Sequence, residues 1–147
     1  MADAPRRADA VWQGSLGQGS GEVSLVTSGA AGPLPVTWAS RTERSDGKTS
    51  PEELVAAAHA SCYSMELSHI LSEGGTPPEK LETSVTVTFK EIEGGWKTGS
   101  SAIVVRGWVP GIDEATFKQA AEAAKGSCPI SRALKGNVEL SVEATLA

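Results

Sequence analysis

Two cysteines far apart in a 147-residue chain each sit among neighbours that suit sulfur chemistry. Cys62 lies in His59-Ala-Ser-Cys62-Tyr63-Ser-Met65-Glu66, and Cys128 in Ser127-Cys128-Pro129-Ile130-Ser131. A thiol attacks only as its thiolate, so what matters at each position is what favours the negative charge. Cys128 precedes a proline at an expected helix start, where free backbone N–H groups stabilise an anion. Cys62 is flanked by His59 and Tyr63 on an alanine-rich segment. An arginine-rich loop, Arg41-Thr-Glu-Arg44-Ser-Asp-Gly-Lys48, comes just before that segment. The plain alternative is that both cysteines are small buried hydrophobes, since free cysteine is among the most buried residue types.

Other chemistries fit the spacing less well. His59 and Cys62 are an i, i+3 pair that could hold a metal with Cys128 or His69, but the close ligand clustering of structural zinc sites is missing. Cys128-Pro-Ile-Ser131 mimics a one-cysteine thioredoxin motif, yet it follows a helix near the C-terminus instead of an early strand. A cysteine protease pairing Cys62 with His59 or His69 lacks an oxyanion-forming glycine turn beside the cysteine. The glycines at 14, 17, 19 and 21 fit neither the dinucleotide nor the Walker spacing and read as a hairpin turn. Glu66 and His69 read as settling local polar contacts.

Composition narrows the setting. The length suits one domain with its own core. A net charge of −5 with no basic stripe argues against nucleic acid. No run approaches the roughly 18 apolar residues of a membrane span. Residues 1–7 are polar, without the apolar stretch of a secretory signal, and read as a frayed tail. Two cysteines in such a chain point to a reducing compartment.

The elements that must position the cysteines follow from periodicity and punctuation. Ser50 is a good N-cap, Pro51 suits the first helical position, and Glu52 and Glu53 complement the helix dipole. The stop is at Gly74-Gly75, with Pro77-Pro78 beyond. This long helix is apolar nearly all round from Leu54 to Ala60, so other elements must wrap it. Before it, strands are expected over Ala8 to Gly14, Glu22 to Thr27 and Leu34 to Trp38, followed by the charged loop. After it come alternating strands over Leu81 to Glu91 and Lys97 to Val109, joined by a turn at Glu93 to Trp96. Asp113 caps a helix to Lys125, stopped by Gly126. A short helix then runs to Leu134, and Val138 to Ala144 is a last strand. The expected fold is α+β, order β-β-β-α-β-β-α-α-β, with an antiparallel sheet around the long helix in a single domain over residues 8–147.

Three stretches in this order resemble the OsmC/Ohr family of osmotically induced and organic hydroperoxide resistance proteins. They are Ser50-Pro-Glu-Glu-Leu-Val-Ala-Ala-Ala-His-Ala-Ser-Cys-Tyr-Ser-Met65, Val109-Pro-Gly-Ile-Asp113 and Ser127-Cys-Pro-Ile-Ser131. The resemblance spans roughly residues 8 to 146 and is greater to the OsmC branch. It implies a cytoplasmic thiol peroxidase that reduces organic hydroperoxides as a swapped homodimer, without metal, haem or other cofactor. By position, Cys62 matches the attacking cysteine, Cys128 the resolving one, Glu52 the motif glutamate and Arg41 the arginine before the long helix, with Arg44 as its rival. An external dithiol, such as a lipoyl group, would regenerate the thiols. The competing function is a non-catalytic stress or small-molecule-binding protein with structural cysteines.

Two physical points bear on this match. Cys62 lies about three turns into its helix, beyond the reach of the dipole, and Glu66 one turn on opposes its ionisation. A cation must therefore sit on Cys62 if it is the attacking thiolate, and an arginine does so without losing its own charge. Glu52 and Cys62 are also about 15 Å apart along one helix and about 80° apart around it, a gap a glutamate and an arginine barely bridge. Two long helices packed antiparallel in a dimer would instead set Arg41 and Glu52 of one subunit beside Cys62 of the other.

Overall fold

The structure, a computed structural model, describes residues 2–147; Met1, the first residue of the expected tail, lies outside them. Its elements run β1 (Ala8–Gln13), β2 (Ser20–Leu25), β3 (Leu34–Val36), α1 (Trp38–Thr42), α2 (Pro51–Glu73), β4 (Lys80–Ile92), β5 (Gly95–Trp108), α3 (Glu114–Ser127), α4 (Pro129–Leu134) and β6 (Glu139–Leu146). The fold class is α+β. Contacts group the chain into two units, residues 1–51 and 52–147.

The first unit is built on the antiparallel sheet β1-β2-β3, with Gln13 opposite Ser20 across the glycine-rich turn. Arg7, read as part of the tail, extends this ladder: its carbonyl accepts from the Val26 and Thr27 N–H groups. Trp38 does not continue β3 as expected. Thr37 and Ser40 form a capping box, each side chain accepting from the other's backbone N–H, and turn the chain into α1. Ser40 Oγ also donates to the Thr49 carbonyl, and Thr49 N–H donates to the Pro35 carbonyl. The ends of the charged loop are thereby closed beside β3.

The second unit carries the hydrophobic core. β4 and β5 form a long antiparallel hairpin, turned by Glu93-Gly94 with Ile92 opposite Gly95. β6 lies along β5 in the parallel sense. The strands thus divide into two three-stranded sheets, the second of them mixed. Parallel pairing requires a long crossover, which α3 and α4 supply. Phe117, Ala121 and Ala124 of α3 pack with Ile103, Val105 and Ala144 of this sheet and with Tyr63, Leu67 and Leu71 of α2. Gly107 in β5 is required by this packing: a Cβ there would sit 2.5 Å from Phe117 Cζ.

α2 begins and ends where the caps and glycines place it. Its buried positions include the stripe His59, Tyr63, Leu67 and Leu71. Ala57, Ala58, Ser61, Met65 and His69 are exposed, Met65 to 71%. The expectation that the helix is buried on most sides is therefore not met within one chain. The short loop before α3 closes at Asp113, whose carboxylate accepts from Thr116 N–H. α3 runs through Gly126 to Ser127, because the stop comes from Pro129: the residue before a proline is driven out of helical geometry. Cys128, with φ −54° and ψ 128°, is that residue.

Candidate active site

Cys62 sits mid-helix on α2, and Cys128 forms the joint between α3 and α4. Both backbone groups of Cys128 are committed: its N–H donates to the Ala124 carbonyl and its carbonyl accepts from Arg132 N–H. The joint directs its buried side chain onto α2. Cys128 Sγ lies 3.0 Å from Cys62 Sγ, close enough for either thiol to donate to the other. Neither cysteine is in a disulfide, and a disulfide bond is about 2.05 Å long. Closing the pair would thus require about 1 Å of travel.

Hydrogen-bonded side chains flank the sulfurs on two sides. On one side Ser127 Oγ donates to Glu66 Oε1. On the other, His59 Nε2 is 2.7 Å from Ser131 Oγ, and His59 Nδ1 is 2.7 Å from Ser101 Oγ of β5. His59, Ser101 and Ser131 are all buried, His59 with no exposed surface. A neutral imidazole offers one donor and one acceptor, and the two hydroxyls satisfy both. Burial holds the His59 pKa below the ordinary imidazole value, which keeps the ring neutral. The metal and protease readings of His59 therefore lose their ligand, since both nitrogens already serve serines. Among the described residues, no cluster of three or more His, Cys, Asp or Glu side chains is placed to hold a metal ion.

Burial pushes the Cys62 thiol above its ordinary pKa, and the contact with Cys128 and the charge of Glu66 push the same way. One group opposes them: the Ile130 backbone N–H, in the first turn of α4, donates to Cys62 Sγ and favours its thiolate. The sequence assigned the N–H groups of this helix start to Cys128. The structure gives that of Ile130 to Cys62, because the proline-bent joint lays the first turn of α4 across α2. Tyr63, beside Cys62, points inward, and its hydroxyl donates to the Ala121 carbonyl.

The two other expected site residues lie outside this sulfur contact. Glu52 is in the first turn of α2 and buried, 6% exposed. Arg41 is in the last turn of α1, its guanidinium 6.0 Å from the centre of the Trp38 ring. It lines a groove of about 320 Å³ in the first unit with Trp12, Leu16, Val36, Thr37, Trp38 and Pro51. Arg44, its rival, lies 3.9 Å from Asp46 with its side chain largely in solvent. The sequence offered no assignment of Ser101, Ser127 or Ser131 to the site. For Ser127 and Ser131, their spacing about Cys128 was the available signal.

A helix-borne cysteine meeting a second cysteine at a helix joint, on this α+β frame, defines a dithiol protein. The profile of OsmC-like proteins matches residues 44–143, and the chain belongs to that family. Peroxiredoxin OsmC of Escherichia coli (strain K12) is 36% identical over 138 residues, which cover 94% of this chain and 95% of that protein. Organic hydroperoxide resistance protein OhrB of Bacillus subtilis (strain 168) is 31% identical over 96 residues, 65% of this chain and 68% of that one. The crystal structure of Bacillus subtilis OhrB superposes with a TM-score of 0.75 at 25% identity, covering 95% of this chain and 98% of that one. A Legionella pneumophila OsmC structure superposes with a TM-score of 0.73 at 24% identity, over 97% and 99% of the two chains. These relatives place the chain in a family with a role in peroxide stress. Among the described residues, no helix is long and apolar enough to cross a membrane.

Proposed function

We propose that the chain is a two-cysteine peroxidase acting on organic hydroperoxides. The observation that carries this reading is the 3.0 Å contact between two free thiols distant in sequence. The Cys62 thiolate attacks the terminal peroxide oxygen; a sulfur–oxygen bond forms, the O–O bond breaks, and the alkoxide takes a proton and leaves as alcohol. Cys128 then attacks the Cys62 sulfenic acid, forming the Cys62–Cys128 disulfide as the oxygen leaves in water. An external dithiol of the lipoyl type takes the disulfide back to two thiols by exchange and is itself oxidised. No cofactor enters the cycle, and a reducing cytoplasm would keep the resting pair as free thiols.

In this reading Arg41 supplies the cation that the raised Cys62 thiol requires, and Glu52 orients Arg41. The apolar groove beside Arg41, with two tryptophans and a leucine, supports a substrate that carries a hydrocarbon group. The working form is a homodimer in which a second copy covers the exposed Ala57, Ala58 and Met65 face of α2. Arg41 and Glu52 of one subunit would complete the site around Cys62 of the other. A fully active monomer in sedimentation across concentrations would refute the dimer.

One feature favours the competing reading of an inert binding or stress protein: burial, the contact with Cys128 and the charge of Glu66 push the Cys62 thiol above its ordinary pKa. A turnover assay with cumene hydroperoxide and a dithiol decides between them. Cys62→Ser abolishes peroxide reduction, and Cys128→Ser consumes about one equivalent and leaves a trappable sulfenic acid. The inert protein would lose no thiol to peroxide. A Cys128 variant dead to peroxide beside a reactive Cys62 variant would reverse the two roles.

A further inference from the structure

The sulfur contact is the middle one of three parallel ties. His59, Cys62 and Glu66 lie at i, i+3 and i+7 on one side of α2, and meet Ser131, Cys128 and Ser127 respectively. α4, with six residues, is too short to hold its own position, since isolated helices shorter than about 12 residues are marginal in water. Its place is set by what it touches: on α2 these are Cys62, which receives the Ile130 N–H, and the fully buried His59, which meets the Ser131 hydroxyl. The other ring nitrogen fixes the imidazole against Ser101, whose strand β5 lies at the centre of the second sheet.

We propose that His59 is a positioning residue for disulfide closure: held by Ser101, it holds Ser131 and thereby α4, and so keeps Cys128 Sγ aimed at Cys62 Sγ. The sulfenic acid step of this closure rests on the peroxidase reading above; the geometry of the two thiols does not. The hydrogen bonds of His59 go to Ser101 and Ser131, and it acts on the sulfurs through α4. The sulfurs must move about 1 Å to bond, and a misplacement of that size is enough to slow a reaction between positioned groups by about a hundredfold. In closure one sulfur–sulfur bond forms, two thiol protons leave, and two electrons pass to the oxidant.

The test uses the full chain and an oxidant other than peroxide. Diamide, an azo compound, accepts the two electrons and two protons and becomes a hydrazine. Closure is followed by acid quench and mass, and its rate is divided by the rate at which iodoacetamide alkylates Cys62 in the same variant. The disulfide is also equilibrated against dithiothreitol to obtain its potential. His59→Ala and Ser131→Ala should each lower the rate ratio by about tenfold, the scale of one lost buried hydrogen bond. Both should make the disulfide easier to reduce by a similar factor. His59→Gln keeps a donor and an acceptor and should recover most of the loss. If His59→Ala does not fold, Ser131→Ala carries the test by itself, since it deletes a single hydroxyl. Wild-type ratios and potentials in Ser131→Ala and in every folded His59 variant would overturn the proposal and leave His59 a core residue. A protein inert to peroxide whose diamide closure still depends on His59 and Ser131 would instead sink the peroxidase reading and keep this one.

Discussion

The two units of the chain use apolar residues in opposite ways. In the second, Tyr63, Phe117, Leu67, Ile103 and Val105 are buried in one core. In the first, β1 has no buried residue, and Val11, Trp12 and Leu16 are 64%, 42% and 59% exposed. The second unit also exposes Met65, Ile92, Trp96 and Val104, but it does so around a buried core. Each unit also holds a different half of the proposed chemistry: the second has both sulfurs, the first the arginine and an apolar groove. In the proposed reading, the core is complete within one chain and the site is not.

The strongest way to break this contrast is to mix subunits. Cys62→Ser and Arg41→Ala parents should each be nearly inactive, and their heterodimer, once the subunits exchange, should regain one intact site. Activity no higher than either parent, with heterodimers shown to have formed, would mean that one chain supplies both halves.

A second experiment sharpens the electrostatics. The alkylation rate of Cys62 rises with pH through its thiol pKa. Burial and Glu66 push that pKa up, and in our reading Arg41 pulls it down. Arg41→Ala should therefore move the midpoint to higher pH, by about one unit or more, and Glu66→Gln should move it to lower pH. Coincident curves for wild type and Arg41→Ala would remove the arginine from the site.

How much of this was legible in the sequence differs between the units too. α2 was readable to its ends because Pro51 opens it and Gly74-Gly75 closes it, both local signals. α1 was not, since five residues are too few to show a period and its capping box ends in Ser40 where the usual pattern has Glu or Gln. The end of α3 was misplaced at Gly126, because a glycine inside a helix costs only about 1 kcal/mol whereas a following proline excludes helical geometry. The partners of His59 were out of reach of any local rule, lying 42 and 72 residues away. The parallel sense of β6 was hidden for a similar reason: alternation shows a strand and says nothing of its direction.

The smallest effect tests the packing difference. Gly107→Ala places a methyl group 2.5 Å from Phe117 Cζ and should destabilise the protein by about 1–3 kcal/mol. Gly17→Ala in the first unit meets nothing within 4 Å and should change stability by less than about 0.5 kcal/mol. Denaturant midpoints measure both, and equal shifts would show that the two units are packed alike.

The crossover that carries Cys128 also sets an order of events while the chain is being made. The β4–β5 hairpin and α2 form from near neighbours in sequence, whereas the sulfur contact joins residues 66 apart and waits for α3 and α4 to pass over the sheet. Until then Cys62 has no second sulfur within reach. If Cys62 is the attacking thiol of the proposed cycle, a sulfenic acid formed in that interval would stand open to sulfinic acid, which a dithiol does not reverse. In the peroxidase reading, the late arrival of Cys128 would make over-oxidation a hazard of the unfinished fold.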